Sequence, residues 1–552
     1  MSRDVLDVAI VGGGVSGCYC GYRLLTADRT LPALRSLSRA SGGDTLSVAL
    51  YESSDRIGGR LWSYRFPELP DVVADLGGMC FSPLHANVYN LCKNHLRLET
   101  EEADEFSVYN LQHIRNHRYA FCDYCPPEKD RSDSFYPRSV PYFLSEQEKW
   151  RYPTDLMLGA FKKATPAVAP LLDALKKEGE EPAKARRIIE QLKLELQKAH
   201  DAGSGLPLHD CGFWSLLSRH ASQEAYDMAT SSSGFYSTTQ NWNAYDTLLG
   251  AFVDFSVPQT WTKLKEGYDA LPRELAQRFV GHGGEVHTRT RLRGLEVQGE
   301  GAEAVITMRL EANGSVRTQQ ARNVILAMPQ RSVRLLDPDS FLFRNGQFVE
   351  DLGAVTCEPA SKLFLAFAEP WWRKVPAAPN PFAPTIRSGQ SATDLPLRLC
   401  YYLGSEENGK SLLLASFTDS IGVEYWNGYL PRGRPNPLVI DPPPEMVQDA
   451  VRQLRAMHDF PVPEPLAAVF AHWGADPYGG GYHFWNTHVR SWEVMPRIRR
   501  PSPGANVFLC GEAYSAKQGW VEGAINTAEM TLETGFGLPR PSWTPEDYDF
   551  GP

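Results

Sequence analysis

One stretch near the start, VLDVAIVGGGVSG over residues 5–17, limits the architecture more than any other part of the chain. An apolar run enters Gly12-x-Gly14-x-x-Gly17 without a break. That order predicts a buried strand, a tight turn and a helix, the unit that cradles a dinucleotide. Gly12 permits the turn, and Gly14 lets the backbone approach a pyrophosphate with no Cβ in the way. Gly17 lets the helix pack on the strand. The helix opens near Val15 and turns its first amides, around Ser16, toward the phosphates.

A second strand, LSVALYE (46–52), ends in Glu52, placed to accept hydrogen bonds from ribose hydroxyls. The spacing from the glycines is longer than usual because residues 28–45 intervene; their Ser/Gly/Asp-rich end, SRASGGD, predicts a surface loop. SSDRIGGRLWS follows at once, and Gly59 and Arg60 would reach the phosphates, Arg60 with a bidentate charge. Far along the chain, NVFLCGEAYSAKQGWVEGAIN (506–526) repeats the pattern of buried strand, glycine turn and helix. Gly511 and Glu512 end its strand, and Gly519 and Gly523 permit close backbone approach. Two such segments at opposite ends of the chain predict that both ends fold around one extended ligand.

Together these motifs resemble the flavin-containing amine oxidase superfamily and, within it, the bacterial L-amino-acid oxidases, over most of the chain. The resemblance implies FAD as cofactor. It also adds Gly78, Met79 and Val286 to the cofactor contacts, with Glu512 on the ribityl and phosphate side. Trp520 and Val521 open a helix whose positive end faces the flavin. The implied fold is α/β, in the α+β manner of a flavoprotein with two to three domains. A discontinuous Rossmann-like FAD domain spans 1–90, 265–330 and 471–552. A strand-rich substrate domain spans 91–140 and 331–470, and a helical subdomain spans 141–264. Helical periodicity at 155–200, broken near Gly179 and Pro182, fits the last of these. Segments 361–372, 397–404 and 410–419 read as strands, and the Pro-rich stretches 376–384 and 431–444 as loops.

Lys362 stands in a strand of apolar or small residues, where an unpartnered lysine is costly. The resemblance gives such a lysine a water-mediated path to the flavin and a part in the reaction with oxygen. Lys362, Tyr402 and Trp520 are thus the candidate catalytic residues, Tyr402 or its neighbour Tyr401 gripping a substrate carboxylate. ADPYGGGYHFW (475–485) resembles a loop of the substrate pocket, with Gly481 and His483 among its candidate walls beside Phe417. In the covalent branch of the superfamily a cysteine stands where this chain has Gly481, so FAD is expected without a covalent link. LGGMCFSP (76–83) carries Cys80 where the L-amino-acid oxidases carry a carboxylate-binding arginine. Either another cation fills the space, Arg398 or Arg387 being candidates, or the substrate lacks a free α-carboxylate.

The expected reaction is oxidation of an L-α-amino acid, bulky or aromatic, to the imine and 2-oxo acid, with O2 reduced to H2O2. A primary amine, a polyamine or a carboxylate-blocked amino acid is the alternative that Cys80 favours. A chain of 552 residues exceeds one ordinary core. The 66 acidic residues against 56 basic ones leave a net charge of −10, which disfavours nucleic acid and anionic membranes as partners. No stretch is long and apolar enough to span a bilayer, and the strand at Val5 leaves no room for a signal peptide, so a cytoplasmic site is expected. Ten scattered cysteines, with one isolated C-x-x-C at Cys122 and Cys125, predict free thiols and no metal site. A homodimer is left open.

Overall fold

The apolar run becomes strand β1 (Val5–Val11), buried from Leu6 onward. It pairs in parallel with Ser315–Leu326 on one side and with β2 (Val48–Tyr51) on the other. A strand covered on both faces needs apolar residues on both, which is why the run does not alternate. This computed structural model describes residues 5–552 except 33, 36, 38–45, 104–109, 133–134, 253–259, 379–383, 405–408 and 432–437. Most of the expected 28–45 loop and part of both Pro-rich stretches therefore lie outside the described residues. The second stretch also departs from a loop, since its later residues supply the short strand Val439–Ile440.

Among the described residues the first sheet has seven strands: Thr290–Gln298, Val305–Ala312, Ser315–Leu326, β1, β2 and Glu285–His287 in order, with Val507–Leu509 also on Ser315–Leu326. Helix α1 (Val15–Thr26), the helix Ala270–Gly281 and a helix at the far end of the chain cover one face of it and share a core. The short helix α2 (Ala86–Asn90) packs on that last helix, α3 (Val521–Phe536). The two ends of the chain are bolted together there. Arg23 donates from Nη2 to Glu529 at 2.7 Å and from Nε at 3.0 Å, while the Tyr19 hydroxyl donates to the same carboxylate at 2.6 Å. Glu529 is fully buried, so loss of Arg23 leaves a costly unpaired charge.

Residues 153–198 form three helices, Pro153–Ala164, Ala169–Glu178 and Pro182–Lys198, around one apolar core. The break at 179–181 matches the sequence. A second break falls where Pro166 cannot continue a helix.

Among the described residues the second sheet has eight strands: Val439–Ile440, Ala467–His472, β3 (Ala360–Phe367), Ser411–Asp419, Leu399–Gly404, Gln390–Thr393, Leu111–Ile114 and His117–Ala120. Two of these recur below as β4 (Leu399–Gly404) and β5 (Ser411–Asp419), and β5 lies between β3 and β4. Every residue of β3 is buried, and its side chains alternate between two cores. Leu363, Leu365 and Phe367 enter one; Phe364 and Ala366 enter the other, on the face that carries Lys362. All ten cysteines are free thiols.

Candidate active site

The carboxyl ends of β1, β2, Ser315–Leu326 and Val507–Leu509 lie side by side, the edge at which open α/β sheets bind ligands. The glycines there are under the constraint the motif implies. Gly12 has φ +113°, and a Cβ on it would lie 2.2 Å from the Ala327 carbonyl oxygen. On Gly17 it would lie 1.9 Å from the Gly12 oxygen. The N-terminus of α1 at Gly14 has no side-chain cap and no acid in its first turn, and Ser16 is buried there. Its amides are left to an anion. The Gly13 amide donates to Glu52 at 2.6 Å, and the Gly58 amide donates to the Gly13 oxygen at 2.9 Å. Gly59 sits so near Gly14 that its Cβ would be 3.1 Å from the Gly14 Cα. Val286 is paired with Leu50 beside this edge.

Where the motif implies a phosphate ligand, the structure places Arg60 on protein partners. Its Nη1 donates to Glu512 at 2.6 Å and to the Gly481 oxygen at 3.0 Å, which ties the phosphate segment to both C-terminal segments. Glu512 also accepts from the amides of Gly519 at 2.8 Å and His483 at 3.0 Å, and His483 Nδ1 lies 2.9 Å away. Against the upward push of burial, Arg60 and His483 hold this carboxyl far below the usual carboxylate range. Gly511 keeps φ +137° before it, its amide bonded to Thr527.

The sequence places His483 in the wall of the substrate pocket, and here the structure corrects it. The residue is fully buried against Glu512, and among the described residues its Nε2 has no hydrogen-bond partner. Strand β6 (Tyr482–Trp485) alternates, so Tyr482 points the other way. The Tyr482 hydroxyl bonds to the buried carboxylate of Asp419 and lies 3.0 Å from Ser237 Oγ. The glycine at 481 also has its own reason: a Cβ there would lie 2.1 Å from the Glu358 oxygen, leaving no room for a cysteine side chain.

Lys362 is 1% exposed. Its Nζ donates to the carbonyls of Asp75 at 2.9 Å and Gly77 at 2.5 Å, and stands 4.6 Å from the Phe417 ring centroid. Lys362 and Phe417 are direct cross-strand partners, and Ala360 faces Asp419 two residues on. Tyr401 joins this face, with its ring 6.4 Å from that of Phe417. Tyr402 does not. One residue along β4, it enters the opposite core, with its hydroxyl 2.7 Å from His458 Nε2 and 2.9 Å from Ser391 Oγ. Burial pushes His458 down to about 3, so its imidazole is neutral. Tyr402 is therefore a core residue.

The loop after Asp75 closes over Lys362. Trp473 Nε1 donates to the Leu76 oxygen at 2.7 Å, Gly78 is packed against Leu61, and Met79 rests on the Phe417 face. Cys80 is half-buried at its end. Arg398 cannot replace the missing arginine. Its guanidinium is buried and donates to three carbonyls, Thr230 at 2.8 Å, Thr393 at 3.1 Å and Gly234 at 3.2 Å. Arg387 is exposed on a loop. Asp419 and Glu358 are buried acids on or beside this face that the motifs do not mark; burial and the charge of Asp419 push Glu358 up to about 7. The parity of Asp419 with Phe417 is the one signal for it in the sequence.

Helix α3 begins without a side-chain cap at Trp520. The Trp520 ring stacks on Trp261 at 5.3 Å between centroids and meets His85 at 4.5 Å.

The model of the flavin containing amine oxidoreductases matches residues 30–531. The chain belongs to that family. It is 25% identical to Aplysianin-A of Aplysia kurodai over 97% of this chain and 90% of the relative. It is 24% identical to an L-amino-acid oxidase of Mus musculus, over 96% of this chain and 71% of the relative. These full-length relatives are animal proteins, so the bacterial placement is not carried further. Putrescine oxidase bound to putrescine shares the fold, with a TM-score of 0.62, 18% identity, and coverage of 95% of this chain and 98% of that one.

The protein is a flavoprotein that catalyses oxidative deamination, with FAD bound without a covalent link. The residues present fit that group. An uncapped helix end and the Gly12–Gly17 cradle suit the pyrophosphate, Glu52 stands beside them, and Glu512 with the orphaned Nε2 of His483 lies at the other end.

Proposed function

We propose that this chain oxidises an L-α-amino acid, bulky or aromatic in its side chain, with dioxygen as the final acceptor. The observation that carries the reading is the buried Lys362, paired to two carbonyls and flanked on one sheet face by Phe417 and Tyr401. The full-length likeness to an L-amino-acid oxidase supports it. FAD, when bound, supplies the two-electron acceptor. The side chains of Phe417, Tyr401 and Trp520 orient the substrate and exclude water, which favours the neutral amine over the ammonium. The Tyr401 hydroxyl would meet the substrate carboxylate. Lys362 holds a positive charge beside the site where oxygen is reduced. The amino acid gives up two electrons and two protons, and O2 takes up both pairs as H2O2. Water then converts the released imine to the 2-oxo acid and ammonia.

A second reading has its own observation. With Cys80 on the loop and Arg398 spent on carbonyls, the arginine fork for an α-carboxylate is missing at both places, while Asp419 and Glu358 stand nearby. A primary amine or diamine would then be the substrate. Peroxide formation from L-tryptophan beside tryptamine, and from L-lysine beside cadaverine, separates the two. Faster turnover of the amino acids supports the first reading; faster turnover of the amines replaces it with the second.

A further inference from the structure

The final residues turn back along α3 and fasten three parts of the molecule. Pro539 gives its carbonyl to Arg23 at 2.7 Å, and Thr544 Oγ1 donates to Asn87 Oδ1 at 2.8 Å. Asp547 pairs with Arg186 at 3.1 Å, and Asp549 pairs with Lys193, both on the helix Pro182–Lys198. Tyr548 and Phe550 pack on Ala86, the first residue of α2.

Within this strap the Tyr548 hydroxyl donates to Glu522 Oε1, and Asn526 Nδ2 donates to the same hydroxyl oxygen at 2.9 Å. Glu522 is fully buried in the first turn of α3. It accepts from the amides of Asn87 at 3.0 Å and Val88 at 2.8 Å, so one carboxylate joins the start of α3 to the start of α2. Trp520, at the N-cap position of α3, lies two residues before it.

We propose that Tyr548 is a positioning residue for the cofactor: the strap holds its hydroxyl on Glu522, which fixes the first turn of α3, and with it Trp520, at the flavin end of the site. The proposal rests on FAD binding and not on the identity of the substrate. Burial pushes the Glu522 carboxyl up, while His85, Tyr548 and the two amides pull it back toward the charged form. Cys92 and Tyr268 also face it. Only the ionised carboxylate can accept fully from both amides and the phenol. Removing the phenol raises the pH below which that arrangement loosens.

The test dilutes the holoenzyme and follows the fluorescence of released FAD across pH, which gives the affinity at each pH. Tyr548→Phe is expected to weaken FAD binding about tenfold, the scale of one hydrogen bond to a charged group, and to move the pH inflection of binding upward. In a Glu522→Gln background the inflection disappears and Tyr548→Phe has less than about a twofold further effect, since coupled residues are not additive. Unchanged affinity and an unmoved inflection in Tyr548→Phe would overturn the proposal. So would an equal loss in both backgrounds, which assigns the strap to general stability. Should Glu522→Gln not fold, the inflection of Tyr548→Phe alone decides.

Discussion

At the cofactor end, Glu512 is held by Arg60, His483 and the Gly519 amide, on segments that the chain brings from three separate regions. On the face of the second sheet that carries Lys362, the side chains of Lys362, Phe417 and Tyr401 come together from three neighbouring strands. The first region depends on backbone: a Cβ at Gly12 or Gly17 would collide with a carbonyl. The second depends on which way a side chain faces, and a shift of one residue sends it into another core. Backbone-built sites therefore leave spelled motifs, and sheet-built sites leave only parity.

The largest effect expected is from Glu512→Gln. It leaves Arg60 without its carboxylate, at a cost of about 3 kcal/mol, and the protein should bind FAD at least about a hundredfold more weakly. Its sign with pH is fixed. The ordinary value is 4.5 and the folded value lies far below it, so the stabilisation is present above pH 4.5 and lost as pH falls toward the folded value. Acid unfolding followed by far-ultraviolet circular dichroism should be less steep in the variant. An identical acid limb would show that Glu512 is not linked to acid stability.

Lys362→Met should retain flavin but slow reoxidation by oxygen about a hundredfold, the scale of a well-placed charge or proton donor. Stopped-flow absorbance of the flavin under anaerobic and aerobic conditions separates reduction from reoxidation. A normal oxygen step would place the lysine in a purely structural role.

The pair Tyr401→Phe and Tyr402→Phe tests the facing of β4 directly. Tyr401→Phe should raise KM about tenfold with little change in Tm, as loss of one hydrogen bond to a charged group would. Tyr402→Phe should leave KM unchanged and cost about 1–2 kcal/mol in denaturant unfolding, because His458 loses its buried partner. The reverse pattern would return the pocket to Tyr402.

The smallest effect belongs to Glu358. Its carboxyl is raised from 4.5 to about 7, so its unfavourable burial grows as pH rises above 4.5 and is complete above about 7. Glu358→Gln should therefore stabilise the protein by about 1 kcal/mol at pH 8 and much less at pH 5, read from thermal melts. Equal melts at both pH values would mean that the folded carboxyl titrates normally.

Much of the first region is legible in the amino-acid sequence. Gly12, Gly17, Glu52, Gly59, Arg60, Gly511 and Glu512 stand out because each is demanded by local backbone geometry or by a charge at a fixed step from it. The sequence marks Arg60 as a phosphate ligand alone, and its bond to Glu512 is hidden because the two are remote along the chain. On the substrate face Lys362 announces itself as a charge in an apolar strand. Between Tyr401 and Tyr402, and between Tyr482 and His483, the sequence leaves the choice open, because facing depends on strand register. Arg398 looks available because nothing in the sequence shows three carbonyls around it.

The sequence by itself determined the cofactor fold, since a buried strand entering a glycine turn has few ways to be satisfied, and it determined that both chain ends fold together. Only the tertiary structure decided that Tyr401 shares a face with Phe417, that Tyr482 meets Ser237, that His483 serves Glu512, and that the C-terminal strap reaches Glu522. The reason is physical. Glycine and strand patterns act within a few bonds of themselves, whereas the facing of a side chain is settled by strand register and by partners that arrive from hundreds of residues away.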